Sequence, residues 1–499
     1  MGANETQEAT RAGDDVSLSG GEDQLEKPQD LENLSDSSSE AWDATKLSGL
    51  RKLHIIVAGF TCTFNGNFGS SLPSGALDAI SAHFDVTSRV HLILLNSLYM
   101  TGYVLGPVLF GPLSEYIGRR PVLIGTFLGY LVFTLLCTAA PNFPAFLVLR
   151  MFTGINAAAP TTVIGGLYAD ILDDPSQRGN AMAVYMTVTT IGPLVGPIIS
   201  GFSSTISWRW PFWIAGMMAG AGLPLVLALP ETYAPVLRNR YIKRQAKDGR
   251  HTSSPGIEQM TPTPFNVRKI FLRPITLLVT EPILLSTSAY LTLAYAVFYL
   301  MFQAYPFVFQ DFYGLAPGPA SLAYVPAIAG TVLAMGVFSA FTWFHGRQTK
   351  AGAPWTKKEI YRRLPLACIA APLMVIALFW LGWSVWPTVP AIVPMLSGIF
   401  FFCGYQLLFM GMINYLTDVY RQSSASAHAA ASMTRSIGAI LLPLAADSMY
   451  SDLGLHWAPS VLGFIALGMG VIPFVFIRYG NRLARSSKAA REAFSVEEA

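Results

Sequence analysis

Two arginines stand where charge is expensive. Arg150 lies several residues inside an apolar run, LVLRMFTGINAAAP, and Arg435 is central in another, ASMTRSIGA. A cation at such depth in a bilayer costs at least about 2.5 kcal/mol. Kept there, it either snorkels to the outer interface or faces a polar cavity. Arg435 should face a cavity or a partner helix. His428, two turns earlier, is of the type that titrates near neutral pH. Asn65, Tyr185, Tyr295, Tyr299, Gln303, Gln406 and Asn414 sit singly in apolar runs. Such residues line a ligand cavity, or merely pack polar groups between helices.

Acids are almost absent from these runs. The nearest are Asp78, Glu281, Asp170 and Glu115, all at run ends, and none identifies itself as a proton carrier. Arginines without a cavity carboxylate disfavour strongly cationic ligands and suit neutral or anionic amphipathic ones. Cys62, Cys137, Cys368 and Cys403 are isolated, without disulfide or metal-ligand spacing. No HExxH, no GxxxxGK[ST] and no His or Cys cluster is present. The sequence therefore calls for no cofactor, no metal and no nucleic acid, and argues against an enzyme.

The elements that must position these residues follow from composition. Of 499 residues, 52% are hydrophobic and only 13% charged, against roughly 25% charged in ordinary soluble proteins. The apolar residues come in runs of about 20, the length that crosses a bilayer core. In lipid such runs must be helices, because an unpaired backbone group costs several kcal/mol. The expected class is an all-α polytopic membrane protein. Twelve spans are expected near 53–73, 90–111, 121–140, 143–167, 180–204, 210–230, 277–300, 319–343, 364–384, 388–412, 425–449 and 458–479. The expected organisation is an acidic disordered tail (1–50), a six-helix bundle (51–230), a basic central loop (231–275), a second six-helix bundle (276–479) and a C-terminal tail (480–499).

Basic residues fix an orientation. Lys46, Arg51, Lys52, Arg119 and Arg120 flank the first spans, nine Lys or Arg lie from Arg238 to Arg273, and six from Arg347 to Arg363. Alternate loops (141–142, 310–318, 385–387, 450–457) hold none; Arg89 and Arg209 are the exceptions, at span edges. The positive-inside rule places both termini and the central loop in the cytoplasm.

The halves look duplicated. Pro193 and Trp208 follow Asp170 by 23 and 38 residues; Pro443 and Trp457 follow Asp418 by 25 and 39. Two parallel six-helix repeats are a transporter plan, with the substrate site between them near the midplane.

Three stretches carry a family resemblance. GPLSEYIGRRP (111–121) resembles the major facilitator superfamily signature G-x-x-x-D-R-x-G-R-R. Gly111, Gly118, Arg119 and Arg120 match; Glu115 replaces Asp and Tyr116 replaces Arg. From the residues themselves, Glu115 can pair with Arg119 or Arg120, or with neighbouring helix ends. Arg150 resembles the arginine of the family's second motif, which implies a cavity position tied to proton coupling. IGPLVGPIISG (191–201) resembles the third, G-P-x-x-G-P-x-x-G-G, through Gly192, Pro193, Gly196, Pro197 and Gly201. Read alone, Gly192, Gly196 and Ser200 form a small-residue stripe that permits close helix approach, and the prolines bend the helix. The resemblance implies a proton-driven antiporter whose fifth helix packs on the eighth. SWRWPFW, LPETY, TEPILL and NYLTDVY are similar to the fungal twelve-helix drug:proton antiporter group, from about residue 50 to 485.

The expectation is a monomeric major facilitator fold that exports small amphipathic molecules in exchange for protons. Arg150, Glu115, Arg119, Arg120, Asp170 and Arg435 would be its coupling and gating residues. Its partners would be a small-molecule substrate, protons and the lipid bilayer. It would sit in the plasma membrane or, alternatively, the vacuolar membrane. The competing readings are a nutrient uptake carrier or facilitator, and a transporter-like receptor.

Overall fold

The computed structural model describes residues 44–247, 275–357, 360–420 and 424–486. Residues 1–43, 248–274 and 487–499, which carry most of the expected tails and central loop, lie outside the described residues. Within them every regular element is helical. Twelve long helices span the bundle. The first six are α1 (Gly49–Ser71), α2 (Arg89–Ile117), α3 (Arg119–Thr138), α4 in two segments (Phe143–Ala157 and Pro160–Ile171), α5 (Pro175–Ser203) and α6 (Trp210–Leu227). The second six are α7 (Pro282–Tyr305), α8 (Tyr324–Lys350), α9 (Ile360–Trp383), α10 (Ile392–Tyr420), α11 (Ser424–Leu444) and α12 in two segments (Ala446–Met469 and Val471–Ser486).

Ten spans are both long and apolar enough to cross a bilayer. α1 and α11 are long enough but less apolar, because α1 carries Asn65 and Asn67 and α11 carries His428 and Arg435. Polarity is tolerable there because both helices are covered by protein: α1 packs on α5 and α6, and α11 on α2 and α7.

Local chemistry explains the boundaries. Asn142 caps α4 by accepting the Ala145 N–H at 2.9 Å, which satisfies one of the free donors of the first turn. Pro160 lacks an N–H, and α4 breaks immediately before it. α2 and α3 are separated by Gly118 alone, at φ 109°, a backbone region that side chains with a Cβ rarely enter. Several helical stretches lie beyond the expected limits. α7 continues to Tyr305 and into a π-turn over Pro306–Phe312. The first segment of α12 covers 450–457, expected as a loop, with one break at Gly454 (φ 76°). A further helix, Ala234–Lys247, occupies the start of the expected central loop.

The two halves, α1–α6 and α7–α12, meet along two seams, α2 against α11 and α5 against α8. One face of the bundle holds the start of α1, the α2–α3 turn and the end of α10; we call it proximal, and its opposite distal. Large apolar side chains such as Val132, Leu136, Val332, Leu333, Phe464 and Leu467 stand exposed around the outside. Soluble proteins do not carry such a belt; it is a lipid-facing skin. Trp210, Trp213, Trp383, Trp386 and Trp457 lie half-exposed at its distal rim, where amphipathic indoles favour a membrane interface.

A candidate translocation site

Arg150 is 1% exposed and enclosed within the first half. Its Nε donates to Leu95 O at 3.2 Å, Nη1 to Gly69 O at 2.8 Å and Nη2 to Ser70 O at 3.1 Å. Its guanidinium lies 4.4 Å from the Tyr99 ring centroid. No described carboxylate pairs with it. Three backbone carbonyls and an aromatic face replace water, so a buried cation is held without a counter-ion. The carbonyls belong to α1 and α2, so Arg150 ties both to α4. In this conformation the side chain is sealed between helices and does not line an open cavity.

The IGPLVGPIISG stretch is one unbroken helix, α5. Pro197 has no N–H to give the Pro193 carbonyl one turn back. The Ser71 hydroxyl supplies that bond at 2.6 Å. A Cβ on Gly192 would lie 3.1 Å from Asn67 Cβ and Phe64 O, and one on Gly196 would strike the Ser71 hydroxyl. The glycine stripe therefore seats α5 on α1, within one half. α5 also packs on α8, as the resemblance implied, and near its distal end Gly201 faces Pro317 and Ser321 of a short helix (Pro317–Ser321) preceding α8.

At the proximal face, Arg119 Nη1 donates to Ser114 at 2.8 Å and its Nε reaches Asp170 at 3.5 Å. Glu231 Oε1 accepts three backbone N–H groups, those of Arg119 at 2.9 Å and of Thr232 and Tyr233 at 3.1 Å each. The Thr232 hydroxyl donates to Asp170 at 3.3 Å. A Cβ on Gly118 would collide with the Glu231 carboxylate. Glu115 does not take the expected role: it is exposed and bonded to neither Arg119 nor Arg120. The reason is geometric, since Arg119 turns inward to Asp170 while Arg120 donates to Leu227 O at 3.4 Å. Sequence reasoning missed Glu231; LPETY was its signal, but the partner lies 112 positions away. The second half repeats the arrangement, with Arg363 Nε on Asp418 at 3.1 Å.

Between the halves, at mid-depth, lies an aromatic and polar cluster. Arg435 sits 5.3 Å from the Tyr295 centroid and 5.7 Å from that of Phe409. Tyr295, Tyr299 and Gln303 share one face of α7 at i, i+4, i+8. Tyr299 shares a 3.1 Å hydrogen bond with Ser70 of α1, and Thr190 of α5 one of 2.6 Å with Gln406 of α10. Tyr185 reaches Pro160 O at 3.5 Å. Two expected cavity residues stand apart. Asn65 donates to Thr61 O at 2.9 Å, and its amide faces Gly222 of α6 inside the first half. Asn414 donates back to Met410 O at 2.6 Å, nearer the proximal end of α10. His428 meets Thr417 at 2.8 Å.

The distal ends of the halves are joined. Arg89 pairs with Asp311 at 2.9 Å and lies 4.4 Å from the Phe307 centroid. The Ser97 hydroxyl donates to Ile440 O at 3.3 Å.

The Major Facilitator Superfamily model matches residues 59–443. This chain belongs to the major facilitator superfamily. It is 33% identical to an efflux pump, FUB11, of Gibberella moniliformis over 95% of this chain and 80% of that one. It is 34% identical to the MFS-type transporter acdC of Aspergillus candidus over 94% and 92%. Among solved structures, the proton:xylose symporter XylE superposes with a TM-score of 0.63 at 17% identity, covering 87% of this chain and 96% of that one. That likeness speaks for the fold alone. The chain is a membrane transporter, with the twelve helices in two six-helix halves that the sequence led us to expect.

Proposed function

We propose that this transporter exports small amphipathic molecules, exchanging them for protons as the halves rock about the mid-depth cluster. The observation that carries this reading is the distribution of contacts between halves. Arg89–Asp311, Ser97–Ile440 and Gly201–Pro317 close the distal seam. The proximal ion pairs Arg119–Asp170 and Arg363–Asp418 each stay within one half. Among the described residues the polar ties between halves thus lie at the distal seam and at mid-depth, which supports a molecule closed distally, the shape in which an exporter loads. The basic loops favour a cytoplasmic proximal face and cytoplasmic termini. The similarity to efflux pumps and the GP-x-x-GP helix favour outward, proton-driven transport in the plasma membrane of a fungal cell, by a monomer. Arg150, Arg119, Arg120 and Asp170 would belong to coupling and gating, while Tyr185, Tyr295, Tyr299, Gln303 and Gln406 would border the path.

The test is retention of a panel of fluorescent amphipathic probes in expressing and non-expressing cells, with and without a protonophore. Lower retention in expressing cells, abolished when the gradient collapses, is expected. Accumulation driven by the gradient would point to uptake and sink the export reading.

A further inference from the structure

The mid-depth cluster has an unbalanced polarity. Arg435 Nη2 donates to Ser432 at 3.2 Å, but its Nε is buried without a partner, and no described carboxylate pairs with it. Gln303 and Gln406 are buried, and each keeps a side-chain nitrogen with no partner. For Gln406 one polar atom stays unpaired whichever way its amide is turned, because Thr190 engages only one. Buried polar atoms left unsatisfied are costly, so several in one place mark a site for an outside partner. Around them stand Tyr295, Tyr299, Tyr405 and Phe409, in ring contact at 4.6–6.0 Å.

Arg150 makes an informative contrast. Its three donor nitrogens are all taken by carbonyls of its own half. Arg435 is a partly buried cation whose Nε is left open at the seam between halves.

We infer that Arg435 is the recognition residue for an anionic group on the cargo, and that the cargo class is the aromatic monocarboxylic acids. The carboxylate meets the Arg435 guanidinium, the ring lies along the Tyr295 and Phe409 faces, and further acceptor atoms take Gln303 or Gln406. This rests on the mid-depth cluster being the cargo site of the proposed exporter.

The experiment measures equilibrium binding of three probes of one shape to the full-length protein in nanodiscs: 2-naphthoate, 2-naphthamide and 2-naphthylmethylammonium. Naphthoate is expected to bind at least tenfold more tightly than the ammonium probe. Arg435→Gln should weaken naphthoate at least tenfold while leaving the amide within twofold, and Arg435→Lys should keep part of the preference. Each variant is first shown to be monodisperse and to bind the amide. Equal or tighter binding of the ammonium probe overturns the inference. So does an Arg435→Gln protein that keeps the preference, or one in which Arg435→Gln and Arg435→Lys weaken all three probes together, since that is a packing role. Binding is read without a gradient, so these results leave the direction of transport untouched. Conversely, naphthoate that binds selectively but shows no gradient-dependent flux overturns the export reading and leaves the ligand class standing.

Discussion

The Ser71 hydroxyl donates to the carbonyl oxygen of Pro193 at 2.6 Å, replacing the backbone bond that Pro197 removes from α5. An acceptor that Pro197 would leave unpaired is thereby used in a bond between helices. Ser71→Ala should lower stability by about 1–2 kcal/mol, read as a fall in the melting temperature of the detergent-solubilised protein. Pro197→Ala restores an N–H to the same carbonyl, so Ser71→Ala should cost clearly less in that background. Equal costs in both backgrounds would refute the substitution of one donor for the other.

Glu231 holds the α2–α3 turn through the Arg119 N–H and its own segment through the N–H groups of Thr232 and Tyr233. Glu231→Ala orphans them together and should destabilise by about 2–3 kcal/mol. Glu231→Gln keeps the acceptor and should lose less than half as much. Thermal unfolding of both variants in one detergent checks the ordering.

Arg150 satisfies three carbonyls with a planar fork that an ammonium cannot reproduce. Arg150→Lys should be expressed but less stable, and Arg150→Met should lose gradient-driven flux altogether. Flux into sealed vesicles at matched protein levels is the measurement. Wild-type flux from Arg150→Met would remove this residue from any coupling role.

Arg89 and Asp311 are each about half exposed, and an ion pair of that kind is worth roughly 0–1 kcal/mol. Exchanging their charges should therefore leave stability nearly unchanged. A disulfide between Arg89→Cys and Asp311→Cys should block flux, and a reductant should restore it. Unimpaired flux with the bond formed would mean that the distal seam never opens.

Much of this was legible in the chain, and the reasons differ by residue. The twelve spans were readable because lipid leaves the backbone no choice but helix. Asp170 and Asp418 marked the duplication, and their partners Arg119 and Arg363 stand at corresponding helix starts. The Gly192–Gly196 stripe announced close packing, but not against which neighbour. The answer depends on Ser71 and Asn67, whose facing side is set only once α1 is docked. Asn65 illustrates the same limit. A polar residue in a span says that it is protected from lipid, and several other helices can supply that protection. Glu115 and Glu231 traded roles for a related reason: the local motif names a carboxylate, while the fold brings a different one to the turn.

The ties across the distal seam have a kinetic meaning. An exposed ion pair and a Ser97 bond of 3.3 Å together amount to only about 1–2 kcal/mol. Those two polar ties therefore bias the choice of shape only weakly, and the packing of α2 on α11 and α5 on α8 carries the rest. A guest preferred tenfold by one shape tips the population by about 1.4 kcal/mol, comparable with those ties. Modest affinity is then enough to shift the balance at the loading step, and a grip much stronger than that would slow the machine by refusing to let go.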